Sequence, residues 1–129
     1  MIVSVCGESV GKSSLINRIT TGAFSVRSVP TMFTEIHKIS MCGRPIALVE
    51  TKDVIKCDVA LIVCKQQCDV VELYKSYANV STLMPVVVRV GEHLQEEEQM
   101  FPSVHTISNL TTSGITELIC CIYIKSFHL

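Results

Sequence analysis

With 129 residues, 48% of them apolar and 18% charged, the chain can build one hydrophobic core but not two, and it has too few charges to stay unfolded. A net charge of −1 with no basic stripe gives nucleic acid nothing to grip by counterion release. No apolar run approaches the length of a bilayer, so no membrane span is expected.

Residues 2–5 read as a buried strand, because they are short, β-branched and bounded by a glycine turn. The chain continues Cys6-Gly7-Glu8-Ser9-Val10-Gly11-Lys12-Ser13-Ser14, and residues 13–20 have helical spacing, with Leu15, Ile16 and Ile19 on one face and Gly22 as the stop. Strand, glycine turn and a Gly-Lys-Ser opening a helix are the order of a phosphate loop. There the backbone N–H groups form an anion nest and the helix adds its positive end. Lys12 then reaches the outer phosphates, and the Ser13 hydroxyl faces a magnesium ion. The spacing has a flaw. Counting back four residues from Gly11 puts Cys6 at the pattern's first position, and Gly7 fills it only in a loop one residue shorter. Glu8 also brings a carboxylate toward the phosphates, where one like-charge pair at about 4 Å costs roughly 4 kcal/mol at an effective dielectric near 20. The plain alternative is a strand-turn-helix carrying a chance Gly-Lys-Ser.

Residues 23–33 read as a loop broken by Pro30. Residues 34–41 could form a strand with Ile36, Lys38 and Ser40 on one side and Glu35, His37, Ile39 and Met41 on the other. Neither side is cleanly apolar, which suits a sheet edge. A turn at 42–45 and an apolar run at 46–49 complete a hairpin signal. Residues 59–64 read as a central strand, 69–78 as a helix with Val70, Leu73, Tyr74 and Tyr77 on its apolar stripe, and 85–90 as another buried strand. The acidic stretch 92–100 reads as a solvated short helix or loop. A short strand at 104–107 and a helix after Gly114, with Ile115, Leu118, Ile119 and Ile122 facing the core, end the series. Strands alternating with helices predict a single α/β domain over 1–129, with a mostly parallel sheet of about six strands and helices on both faces. Ligands in such sheets bind beyond the carboxyl ends of the strands.

Seven cysteines, at 6, 42, 57, 64, 68, 120 and 121, form no C-x-x-C pair and sit among apolar residues. They read as reduced, buried small hydrophobes of a reducing, cytoplasmic compartment. Four histidines show no ligand spacing with them, so no structural zinc is expected. Residues 1–4 read as strand rather than secretory signal, and the last four residues carry no prenylation cysteine, so no membrane anchor is expected.

Over almost the whole chain the sequence resembles the small GTPase family, and its Rho branch in particular. The residues that carry the likeness are Val10-Gly11-Lys12-Ser13-Ser14-Leu15, Thr20-Thr21-Gly22-Ala23-Phe24, Val29-Pro30-Thr31-Met32-Phe33, Cys42-Gly43-Arg44-Pro45-Ile46 and Ser108-Asn109-Leu110-Thr111-Thr112-Ser113-Gly114-Ile115, with Lys12, Phe24 and Thr31 at the family's separations. The resemblance implies a compact Ras-like P-loop three-layer sandwich. It implies GTP or GDP with magnesium as ligand, held by the loop residues Gly7, Glu8, Ser9, Val10, Gly11, Lys12, Ser13 and Ser14. Lys12 would hold the β and γ phosphates, while Ser13, Thr31 and Glu50 would serve the metal. Phe24 would stack on the guanine, and the backbone of Ser108, Asn109 and Leu110 would approach its carbonyl oxygen. Phe24 as core and Thr31 as a turn residue are the plain alternatives.

The departures from the family are as informative. Its Asp-x-x-Gly reads Glu50-Thr51-Lys52-Asp53, and no glutamine follows to orient an attacking water, so no catalytic residue is assigned. Residues 51–56 replace a whole switch helix. Six extended residues span at most about 20 Å, so this crossover should be taut and non-helical. The base-reading aspartate is missing from Gly91-Glu92-His93-Leu94-Gln95. Three functions follow. The first is a degenerate GTPase-like protein with weak or absent GTP binding and little hydrolysis, acting through a protein partner or self-association in signalling or trafficking. The second is a slow but working GTPase switch. The third is another P-loop enzyme, such as a nucleotide kinase, for which four arginines are little material. So short and eroded a version also suggests, by analogy alone, a mimic captured by a large DNA virus.

Overall fold

The computed structural model describes residues 1–7, 15, 16, 19, 35–41, 43–65, 70–91, 101, 104–107 and 114–128, Glu35 by its backbone only. They form a six-stranded sheet from β1 (Ile2–Gly7), β2 (Glu35–Met41), β3 (Arg44–Glu50), β4 (Val59–Cys64), β5 (Val86–Val90) and β6 (Val104–Ile107), with helices α1 (Val71–Val80) and α2 (Ile115–Lys125). The strand order is β2-β3-β1-β4-β5-β6. β2 runs antiparallel to β3, and every other neighbouring pair is parallel.

Alternation along the strands sends the core to both faces of this mixed α/β sheet. Val3 and Val5 of β1, with Leu61 and Val63 of β4, join Leu15, Ile16, Ile19 and the α2 residues Ile115, Leu118 and Ile122 on one face. Leu15, Ile16 and Ile19 are helical, as their spacing predicts. On the other face Cys6, Ala60, Ile62 and Cys64 pack with Val70, Phe101 and Tyr77 of α1. All six residues of β4 are buried, the pattern of a strand covered on both sides.

β2 forms an edge of the sheet, and its mixed faces predict that place: Ile36, Lys38 and Ser40 are exposed while Met41 is buried. The hairpin turn is tighter than the expected 42–45, since Met41 already pairs with Arg44 and Gly43 takes φ +83°. Pro45 therefore lies inside β3. It is tolerated because β3 meets β1 only from Ala47 onward, so no central ladder bond needs the missing N–H.

Other boundaries also move. β1 runs two residues past Val5 to Gly7, and α1 lies two residues later than its periodicity indicates. The reason for the second shift is tertiary. Ser81 bridges in parallel to Cys57, which pulls the backbone after Val80 into extended geometry. Residues 51–56 are non-helical, as the span requires. Cys120 corrects the expectation of buried thiols: it is exposed, whereas Cys6, Cys57 and Cys64 are buried and form no disulfide and Cys121 is half-buried. Cys42 and Cys68 lie outside the described residues. Among those residues no helix is long and apolar enough to cross a membrane.

Loss of a covering helix would be expected to bare one sheet face. On the α1 face Ser4, Cys6, Val49, Ala60 and Ile62 are buried, while Ile2 and Ile36 are exposed.

Candidate functional site

The parallel strands present their carboxyl ends to one edge, and Gly7 ends the central strand there. It pairs with Val63 of β4, takes φ +111°, and comes so close that an added Cβ would overlap the Val63 carbonyl oxygen and lie 3.0 Å from its nitrogen. A positive φ and a blocked Cβ position each require glycine. The end of β1 therefore has a conformation that no other residue type fits, and Leu15 and Ile16 are helical eight and nine positions later in the sequence. Strand, glycine and helix thus stand in the order that a phosphate loop needs.

Glu50 ends β3 at the same edge. It pairs with Val5, which points toward the face carrying Leu15 and Ile16, so the half-buried Glu50 side chain shares the side of those helical residues. Thr51 next to it is buried. Its backbone N–H donates to the Val5 carbonyl (3.2 Å), its hydroxyl accepts from the Asp53 N–H (3.1 Å), and it donates to the Asp53 carbonyl (3.2 Å). At the position where glycine was expected, Asp53 closes a hydroxyl turn.

A second glycine, Gly114, closes the far end of the edge. With φ +79° it stands directly before α2, and its absent Cβ would strike the Thr106 carbonyl. Ser108, Asn109 and Leu110 fall in the sequence between β6 and Gly114. They lie outside the described residues, as do Glu8, Ser9, Val10, Gly11, Lys12, Ser13, Ser14, Phe24 and Thr31. Of the candidate site, then, the structure brings Gly7 and Glu50 to one edge. Among the described residues no three histidine, cysteine or acidic side chains gather as a metal group.

Sequence reasoning missed a buried polar network behind this edge. Ser4, wholly buried in β1, lies 2.9 Å from the phenolic oxygen of Tyr77, also wholly buried in α1, and that oxygen lies 3.1 Å from the Asp53 carbonyl. The Asp53 carbonyl can only accept, so Tyr77 donates to it and Ser4 donates to Tyr77. Burial pushes the Tyr77 hydroxyl far above its ordinary range, with Ser4 pulling the other way, so the phenol stays protonated and available as a donor. The available signal was Ser4 itself, a hydroxyl within a buried run that must find a partner. No protein-family model matches the chain, and no curated protein matches it in sequence.

Proposed function

We propose that the chain is a compact Ras-like P-loop domain, a degenerate small GTPase-like protein that binds GTP weakly or not at all, hydrolyses little, and works by engaging a protein partner. The observation that carries the reading is Gly7. A central parallel strand ends on a glycine required by its positive φ and by the close Val63 backbone, in the sequence position that opens into Gly11-Lys12-Ser13 and a helix. In this reading the amides from Gly7 to Ser14 face phosphate, Lys12 neutralises it, and Ser13, Thr31 and Glu50 hold magnesium. The metal would supply charge neutralisation on the phosphates. Glu50 supports the assignment by standing at the same edge and on the same face as the helical Leu15 and Ile16.

The same edge supports weak occupancy. Asp53 replaces a glycine and is already tied into the Thr51 turn. A guanine whose paired donors lack their acceptor loses several kcal/mol of base discrimination. The test is calorimetric titration of GTP, GDP and ATP, each with magnesium, into metal-free protein, with Lys12→Ala beside it. The expected result is a Kd weaker than about 100 μM for all three and little turnover, against roughly 1 μM or tighter for a working switch. Tight, guanine-selective binding with measurable hydrolysis would replace this reading with that of a slow GTPase.

A further inference from the structure

We propose that Tyr77 is a latch that holds the β3–β4 connection in one conformation, whether or not nucleotide is bound. Both ends of the connection are stitched to the sheet by backbone bonds. Thr51 N–H donates to Val5 at the upper end. At the lower end Asp58 N–H donates to Ile2 (2.9 Å), Thr82 N–H to Cys57 (3.0 Å) and Leu83 N–H to Asp58 (2.8 Å). Asp58 adds its carboxylate, which accepts from the Ile2 N–H at 2.7 Å.

The middle is different. Lys52, Asp53, Val54 and Lys56 are exposed and Ile55 is half-buried, so hydrophobic burial does little to hold the segment down. Among the described residues, what reaches it from the core is the Tyr77 oxygen, which donates to the Asp53 carbonyl. The phenol thereby spends its donor on the connection while accepting from Ser4. The ring is wholly buried in α1, and α1 is itself tied to the connection through the Cys57–Ser81 bridge. The anchor is therefore rigid, and the segment Thr51–Lys56 keeps the path that the anchor gives it. Glu50, at the start of that segment, inherits a fixed backbone.

Exposed side chains on a fixed backbone make a protease assay decisive. Trypsin needs a locally unfolded stretch, so wild-type protein should be cut slowly after Lys52 and Lys56 despite their exposure. Tyr77→Phe should speed both cuts by about tenfold or more, the scale of losing one buried, charge-neutral anchor. Cleavage after Lys75, exposed on α1, reports general unfolding and should stay within about twofold in the same digest. Adding GTP or GDP with magnesium should leave the wild-type rates unchanged. If Tyr77→Phe unfolds, the Lys75 cut will rise in step. Ser4→Ala, which removes a single donor and keeps the ring, then carries the test, with a few-fold rise confined to Lys52 and Lys56. Wild-type protein cut at Lys52 or Lys56 as fast as Tyr77→Phe, or cut rates that nucleotide alters, would overturn the latch.

Discussion

Gly7 holds a conformation that costs any other residue type, and the cost has two independent sources. A φ of +111° strains a residue with a Cβ, and the Cβ itself would overlap the Val63 backbone, which lies in a strand buried along its length and is not free to retreat. Gly7→Ala should therefore lose about 3 kcal/mol or more of unfolding free energy in urea, a large fraction of a small domain's total. Gly43→Ala is the contrast. Its φ is also positive, but no atom stands near its missing Cβ, so the strain comes alone and the loss should be about 1 kcal/mol. Side-chain protonation adds a pH dependence. Burial lowers the His105 pKa from 6.5, helped by Lys125 and opposed by Glu117. Above pH 6.5 folded and unfolded states are both neutral at this position and nothing changes. As pH falls below 6.5 the unfolded chain takes the proton first, and stability drops until the folded imidazole also protonates. Melting curves from pH 7.5 to 5 should show that decline, and His105→Gln should flatten this limb. Thiol chemistry gives a further residue-level check. Peptide mapping after brief labelling should find Cys120 modified first among the described cysteines, and Cys6, Cys57 and Cys64 protected until the protein unfolds.

Among the elements, those with sustained patterns were legible and those set by distant contacts were not. The six apolar residues of β4 and the Ile115, Leu118, Ile122 stripe of α2 announced themselves, because burial on both faces or along one stripe leaves a direct trace in residue type. The end of α1 did not, since Ser81 stops helical through its bridge to Cys57, a contact that spans 24 positions of chain and has no local signal. The extension of β1 to Gly7 was hidden for a similar reason, because glycine reads as a turn until its partner Val63 is known. The connection from β3 to β4 was legible through length alone: too few residues for a helix. Its anchor was not, because Tyr77 fits an apolar stripe equally well as an ordinary core residue. At its far end α2 is held by a contact of another kind. The Arg44 guanidinium lies over the Phe127 ring, 3.7 Å from its centre, and donates to the Ser126 carbonyl at 3.2 Å, while Tyr123 meets the same ring edge-on. Arg44→Ala should cost roughly 1 kcal/mol in urea unfolding, since the site is partly solvated, and Arg44→Lys should recover only part of it because the planar face is lost.

For the whole molecule, the strand alternation gave the α/β class and the hairpin gave the one antiparallel pair, while the placing of β1 between β3 and β4 needed three dimensions. Of the candidate site, Gly7 and Glu50 could be tied to one edge, whereas the nucleotide roles of Lys12, Ser13, Thr31, Phe24 and Ser108 rest on resemblance and await titration. That central place for the first strand has a further consequence, which concerns the order of assembly. Ile2 to Gly7 are synthesised before both of the strands they pair with, and their partners in β4 follow more than fifty residues later. At about 5–20 residues per second the strand must wait several seconds with both of its hydrogen-bonding edges open, flanked by Val3, Val5 and Cys6. Synthesis rate and early chaperone contact, rather than final stability, should therefore set how much of this protein reaches its native state.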